Sequence, residues 1–289
     1  MNYQKWLEQI YENVFCKTYS ESYYVFLCGG AGKDCVRNAV RTILEDQGYQ
    51  ILYPEDLFVD AIYQDKKADL LDYENLLAAN ADVVCVICES PGSFAELGAF
   101  VQSEKINSRL VVAVNKRYKR KKSFIMLGPV RHLKKINEKS VVEYKTNELD
   151  VFGRDLHSSF NYIRKKWPRK HDKLSFDNLS AYIAFIPIIL YFFQRMKRTD
   201  LFKELKAFLK NKSILPNNYN LLFNAAVKYL LKTRIIAIDV DSNTKEDEFL
   251  LTEAGNYKTR TVMSKSVVAY PNMLHDRIRC GIMRTQLNI

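Results

Sequence analysis

The fold is decided by the stretch Val83-Val-Cys-Val-Ile-Cys-Glu-Ser-Pro-Gly-Ser-Phe-Ala-Glu-Leu-Gly-Ala-Phe100. Its first six residues are an apolar run of strand length, rich in β-branched side chains. Pro91 and Gly92 then introduce a segment that opens like a helix, with serines placed to cap it. A buried strand that leads directly into a helix is the repeating unit of a parallel sheet.

The same alternation of strand and helix continues on both sides of this stretch. Further short apolar runs predict strands at Tyr23–Cys28, Gln50–Tyr53 and Leu110–Val114, with helical spacing between them. Parallel strands joined by helical crossovers are the economical solution. The sequence therefore predicts an α/β fold, with a Rossmann- or flavodoxin-like parallel sheet in a domain that spans residues 1–150.

The alternation stops near Leu156, and helical patterns dominate the rest of the chain. One compact unit has a helix over Tyr219–Lys232, a strand over Ile235–Val240, a polar turn and a return strand over Phe249–Leu251. A helix followed by a polar-tipped hairpin resembles a winged helix, although any α+β domain can supply this order. We predict a second, mainly helical and winged-helix-like domain over residues 151–289.

The positive charge of the chain is concentrated in this second half. The net charge is +11, and residues 151–289 carry 24 Lys and Arg against 12 Asp and Glu. Such a basic half predicts a nucleic-acid partner, the alternative being a basic surface without one. The candidate contacts are on or just after the presumed recognition helix and on the hairpin turn: Lys228, Lys232, Arg234 and Lys245.

Cysteine and apolar patterns limit the remaining classes of function. Cys85 and Cys88 form a CxxC, but residues three apart on a strand point to opposite faces, so we expect free thiols and no metal site. The apolar run Leu179–Phe193 contains Pro187 and is shorter than the roughly 20 residues that span a bilayer. With no signal-peptide pattern at the start, a cytoplasmic protein without a membrane segment is expected.

Two motifs carry the candidate chemistry. Gly29 and Gly30 follow the first strand, where backbone N–H groups and a helix N-terminus can hold phosphate; a tight turn is the alternative. Ser90, Gly92 and Ser93 follow the third strand, and Glu96 lies about one helical turn further on. Ligands bind beyond the carboxyl ends of parallel strands, so Glu96 is placed to attack or stabilise an anomeric carbon. The alternative is a capping box with Ser93.

These motifs resemble those of one known family. Cys28-Gly-Gly30, Tyr53-Pro-Glu-Asp-Leu-Phe58, Glu74-Asn-Leu-Leu77 and Glu89-Ser-Pro-Gly-Ser-Phe-Ala-Glu-Leu-Gly-Ala-Phe100 are similar to strings in effector proteins of retron anti-phage systems. Those effectors join a nucleoside 2-deoxyribosyltransferase-like domain to a C-terminal winged-helix domain. The resemblance implies that Glu96 is the catalytic glutamate and that the enzyme cleaves an N-glycosidic bond of a nucleotide or NAD as a toxic act. It also implies restraint by a reverse transcriptase with its RNA–DNA product (msDNA).

The sequence departs from true deoxyribosyltransferases at one informative position. Those enzymes carry an Asp where this chain has Ser90, so hydrolysis is favoured over base exchange. Asp72 or Glu74 fills the second acidic position of the family, and Asp56 either faces the cleft or caps a turn. We expect no cofactor, with the nucleotide or NAD as substrate, and homo-oligomerisation is compatible with the pattern.

Two other functions stay open. One is a non-catalytic nucleotide sensor that binds nucleic acid. The other is a lysine-decarboxylase-like phosphoribohydrolase, although the motif that starts at Pro91 lacks the middle glycines of that type.

Overall fold

The structure is a computed structural model that describes residues 3–53, 78, 81–119, 122–166, 176–177, 179–240, 247–264 and 271–287. The chain divides into two compact units. The sheet unit comprises Tyr23–Lys170, and the helical unit comprises Met1–Ser22 together with His171–Ile289. Each unit has its own buried core.

The N-terminal segment belongs to the helical unit. It consists of α1 (Tyr3–Ile10), a π-helical turn (Tyr11–Phe15) and α2 (Cys16–Glu21). Leu7, Ile10 and Val14 form an apolar stripe at helical spacing, and all three are buried. The Phe15 ring packs 4.4 Å from the ring of Phe185, measured between centroids. Burial of this stripe explains why the segment joins the helical unit rather than the sheet that follows it in sequence.

The sheet unit is built on five parallel strands in the order β2-β1-β3-β4-β5. The strands are β1 (Tyr23–Cys28), β2 (Tyr49–Leu52), β3 (Val83–Cys88), β4 (Leu110–Asn115) and β5 (Val141–Tyr144). This is the strand order of flavodoxin-like doubly wound sheets. The parallel α/β architecture predicted from the sequence is confirmed, and β5 is a strand that the prediction missed.

Helices cover both faces of this sheet. They are α3 (Val36–Asp46), α4 (Pro91–Gln102), α5 (Glu104–Asn107), α6 (Arg131–Ile136) and α7 (Leu149–Lys166), with short turns at Lys116–Tyr118, Met126–Val130 and Glu138–Ser140. Val40 of α3 and Leu156 of α7 share one core with Val25 and Cys85 of the sheet. Phe100 of α4 packs against Phe26, whose side chain points to the opposite face.

The division of the chain differs from the predicted boundary at residue 150. That boundary falls inside α7, whose Phe152, Leu156 and Phe160 are buried in the core shared with α3. The two helices approach closely at Gly153, where an added Cβ would lie 2.5 Å from Cγ2 of Ile43. Because α7 completes the core of the sheet, the unit continues to Lys170.

The C-terminal part of the helical unit alternates helices with a small antiparallel sheet. In order it contains α8 (Leu179–Phe193), β6 (Arg195–Lys197), α9 (Arg198–Asn211), α10 (Tyr219–Lys232), β7 (Ile236–Val240), β8 (Asp247–Leu251), α11 (Glu253–Ser264) and α12 (Pro271–Leu287). The strands pair in the order β6-β8-β7. The predicted helix and hairpin are present, and β6 is a further strand that the sequence pattern did not predict.

Two features of α8 explain its ends and its composition. Gln194 adopts a left-handed conformation, with φ of 64°, so the helix ends before β6 begins. The helix itself is almost entirely buried, as its apolar sequence predicted. Across the part of the chain that the structure describes, no helix combines the length and apolar character needed to cross a membrane.

Candidate functional site

The candidate site lies at the carboxyl ends of β1 and β3, which are neighbours in the sheet. The helix that follows β1, α3, packs on one face, and the helix that follows β3, α4, packs on the other. Where successive crossovers leave to opposite faces, an open α/β sheet forms the crevice in which ligands bind. The Ser90–Glu96 motif predicted from the sequence therefore begins at this switch point.

The start of α4 is fixed by a reciprocal box between two serines. Ser90 is the N-cap, and its Oγ accepts a hydrogen bond from the Ser93 N–H at 3.2 Å. Oγ of the fully buried Ser93 accepts from the N–H groups of Ser90 (3.0 Å) and Glu89 (3.2 Å) and donates to the Ser90 carbonyl (2.7 Å). Ser93 is therefore bonded to Ser90, and the alternative that Glu96 caps the helix together with Ser93 is wrong.

Glu96 lies six residues after the N-cap, in the second turn of α4 rather than about one turn in. It is half-buried. Burial, together with the nearby Glu96 charge, raises the pKa of the Cys88 thiol to about 12. Glu96 is therefore close to the last residue of β3, beside a thiol that stays protonated at neutral pH. A carboxylate in this position is suited to act on an electrophilic carbon held in the crevice.

Cys85, the other half of the CxxC, is fully buried, and burial raises its pKa as well. Cys85 shares the core with α3, whereas Cys88 faces the Glu96 side, as the alternation of the strand requires. Both thiols are free. Within the described ranges, no three His, Cys, Asp or Glu side chains are grouped as metal ligands would be.

Glu89 also lies at this edge of the sheet, and the sequence did not reveal its contacts. Its Oε1 accepts hydrogen bonds from the N–H groups of Gly30 and Arg37, both at 3.0 Å, and its Oε2 accepts one from Val36 at 2.7 Å. The carboxylate thus binds the first-turn donors of α3, which an α-helix leaves without intrahelical partners. The available signal was an acidic residue directly after a buried strand.

The glycine turn does not have the form predicted for a phosphate site. The Gly30 N–H is donated to Glu89, as are the first-turn N–H groups of α3. An added Cβ at Gly29 would lie 2.9 Å from both Arg37 Cβ and Glu89 Oε1, and one at Gly30 would lie 3.1 Å from Cys35 Cβ. Both positions require glycine because Glu89 and α3 approach the turn closely. The structure therefore agrees with the alternative prediction of a tight turn.

Two buried tyrosines and an arginine complete this edge of the sheet. Arg37 is 4% exposed, and its guanidinium carbon lies 4.3 Å from the centre of the Tyr53 ring. The Tyr53 hydroxyl donates to Oδ1 of Asn38 at 3.1 Å. Burial raises the pKa of Tyr53 to about 12. Burial, together with the Glu89 charge, also raises the pKa of Tyr144 to about 12. These hydroxyls are therefore donors at neutral pH.

The remaining residues predicted for the site differ in where they lie. Gly92 is exposed at the second position of α4. Asp56, Asp72, Glu74 and Lys245 lie outside the described residues. Gly98 of α4 has no atom within 4 Å of an added Cβ, so this small residue is not required for close packing of the helix on the sheet.

The predicted nucleic-acid contacts lie on and just after α10. Lys232 is exposed and Lys228 is half-buried. Together with the exposed Asn220 and Asn224, they form a polar stripe with a spacing of four residues. Arg234 is exposed, with a left-handed φ of 53° that ends the helix, and its carbonyl accepts a hydrogen bond from Thr252 Oγ1 at 2.5 Å.

Comparisons with known proteins agree on one family. A family model described as STM3845 retron effector protein matches residues 33–237. A relative from Escherichia coli named "Retron Ec86 putative ribosyltransferase/DNA-binding protein" is 31% identical over 275 residues, covering 90% of this chain and 83% of that protein. "Retron Ec73 putative ribosyltransferase/DNA-binding protein", also from E. coli, is 30% identical over 135 residues, 43% of each chain.

Proposed function

Because the chain belongs to the STM3845 retron effector family, we propose that it is the toxic effector of a retron defence system and cleaves an N-glycosidic bond. The substrate class is a nucleotide or NAD. The observation that carries the proposal is the position of Glu96, half-buried beside the end of β3 at the switch point of the sheet. The word ribosyltransferase in the names of both relatives supports chemistry at an anomeric carbon.

In the proposed reaction, Glu96 acts on C1′ of the substrate sugar. Either its carboxylate attacks C1′ while the base leaves with the electron pair of the broken bond, or it stabilises the oxocarbenium-like transition state. In the first case, water then hydrolyses the glycosyl ester and restores the carboxylate. From a nucleotide, the leaving base takes up one proton, and the products are the free base and a sugar phosphate. From NAD, nicotinamide is neutral once it holds the electron pair, so water releases a proton and the products are nicotinamide and ADP-ribose.

Water is proposed as the acceptor because of Ser90. Its hydroxyl caps α4 at the place where deoxyribosyltransferases carry an Asp. Base release should therefore need no second base in solution. Release that requires an added acceptor base would make the protein a transferase and overturn this part of the proposal.

The helical unit is proposed to be a winged-helix nucleic-acid-binding module. Its order α8-β6-α9-α10-β7-β8, with the three strands paired as β6-β8-β7, supports this assignment. The polar stripe that contains Lys228 and Lys232 would face the nucleic acid, with lysines contacting phosphates. The strands of the hairpin carry Asp239, Asp247 and Glu248, and the guanidinium of Arg195 beside them is paired with Asp239 at 2.6 Å. The net negative charge of this surface makes α10 the better phosphate contact.

The proposed partner is a retron reverse transcriptase with its RNA–DNA product, which would hold the enzyme inactive. The words DNA-binding in the names of the relatives support a nucleic-acid ligand. The test is expression with and without these partners, followed by mass spectrometry of the nucleotide and NAD pools. We expect one pool to fall, with its base released, only when the partners are absent.

Unchanged pools in cells that nevertheless stop growing would contradict an N-glycosidic toxin. That result would favour the alternative of a non-catalytic nucleotide sensor.

A further inference from the structure

The Glu89 carboxylate occupies the position at which ligand phosphates bind in many sheets of this type. In dinucleotide-binding folds, the turn after β1 and the N-terminus of the next helix direct backbone N–H groups at a phosphate. Here the corresponding donors belong to Gly30, Val36 and Arg37, and all three point at the Glu89 carboxylate, at 2.7–3.0 Å. The chain supplies its own anion to this position.

The packing around Glu89 leaves little room for a second anion. Its Oε1 lies 2.9 Å from the position of an added Cβ on Gly29, and its Cγ and Cδ lie 3.4 Å from the corresponding position on Gly30. The backbone of Glu89 is fixed as well, because its N–H donates a hydrogen bond to Oγ of the buried Ser93. A phosphate approaching the turn would meet a fixed carboxylate whose charge repels it.

We propose that Glu89 is a specificity-determining residue that excludes phosphate from the β1 turn, so that the crevice holds its substrate by the sugar and base. This inference rests on the proposed function for the identity of the substrate, but the exclusion of phosphate does not. A substrate that carries phosphate must direct it away from the β1 turn. A dinucleotide would accordingly not bind in the usual Rossmann manner.

The first experiment measures phosphate binding without any need for catalysis. Wild type and the Glu89→Ala variant are heated in sodium phosphate or in sodium chloride of equal ionic strength. Removing the side chain vacates the donors, so phosphate at tenfold above its Kd should raise the melting midpoint of Glu89→Ala by at least about 2 °C. Phosphate also stabilises folded proteins in general, so the shift of wild type between the two salts is subtracted, and the rise of about 2 °C is the excess expected for Glu89→Ala over wild type.

A matched control variant and a second small variant keep the result interpretable. Glu45→Ala also removes one carboxylate, but from the end of α3 that is distant from the turn, and should show the same phosphate shift as wild type. Glu89→Ser also vacates the donors and serves if Glu89→Ala does not fold. A phosphate shift in the folded variant at position 89 that is no larger than the shift of wild type and Glu45→Ala would overturn the proposal.

The second experiment compares substrates and depends on the proposed activity. For wild type, kcat/KM is measured with a nucleoside and with its 5′-monophosphate, and the same ratio is measured for Glu89→Gln. Loss of the negative charge should shift the ratio toward the phosphorylated substrate by about tenfold or more. An unchanged ratio would refute Glu89 as the specificity determinant. If no base is released at all, only the proposed function fails, and the phosphate-binding result stands by itself.

Discussion

Replacing Ser93 by alanine should destabilise the sheet unit more than replacing the N-cap Ser90. Ser93 is fully buried, and its Oγ makes three hydrogen bonds, accepting from Glu89 and Ser90 N–H and donating to the Ser90 carbonyl. Ser93→Ala leaves two backbone donors without their acceptor. At about 1–3 kcal/mol for each unsatisfied buried group, reduced because Glu89 and Ser90 are half-buried, we expect a loss of about 2–4 kcal/mol.

Ser90→Ala removes a single cap bond, from the Ser93 N–H, and should cost about 1 kcal/mol. Ser103→Ala is the control, since its side chain makes no capping bond at the other end of α4, and should change stability by less than about 0.5 kcal/mol. Urea unfolding followed by circular dichroism gives the free energies, and hydrogen exchange reports the Glu89 and Ser90 amides individually. A larger cost for Ser90→Ala, or unchanged protection of both amides in Ser93→Ala, would refute the reasoning.

Four further outcomes are expected. Gly98→Ala should stabilise the protein by up to about 1 kcal/mol in urea unfolding, because its Cβ meets open space in a helix interior. Gly255→Ala should prevent normal folding of the helical unit, seen as lost cooperativity on heating, because its Cβ would lie 1.8 Å from the Ile235 carbonyl oxygen. The pKa of the buried Tyr144 is about 12 in the folded protein, against 10.0 in the unfolded chain. Its contribution to the free energy of unfolding is therefore complete below pH 10.0 and is lost as the pH rises toward 12. Tyr144→Phe should flatten that part of a curve of stability against pH. Binding of nucleic acid should weaken steeply with salt, and Lys232→Ala should reduce the slope of log K against log salt by about one, measured by fluorescence anisotropy.

Local sequence patterns predicted the sheet well because each strand is apolar and is followed by a turn or a helix start. The pattern failed at β5, where Val141–Tyr144 is only four residues long and contains Glu143. It failed at β6 because the three residues Arg195–Lys197 have little apolar character and are strand only through pairing with β8. Such pairing is a non-local contact that no window of sequence contains.

In the candidate site, too, the residues within one local motif were predictable and the contacts between distant residues were not. Ser90, Ser93 and Glu96 lie on one contiguous motif, and the structure places them at the crevice. The role of Glu89 depends on residues 52 to 59 positions away, which the fold alone brings to it. For the same reason the glycine turn was assigned to phosphate, since the sequence cannot show that an internal carboxylate already occupies the donors.

Base release by the Glu96→Gln variant tests the central claim most directly. Purified wild type and variant are incubated separately with NAD and with purine nucleotides, without an acceptor base, and free base is quantified by mass spectrometry. The amide keeps the shape of the side chain but not its charge, so turnover should fall by about a thousandfold or more while the melting midpoint stays within about 2 °C. Glu45→Gln should retain wild-type turnover. Retention of about a tenth of wild-type turnover by a folded Glu96→Gln would contradict the assignment of Glu96 as the catalytic carboxylate.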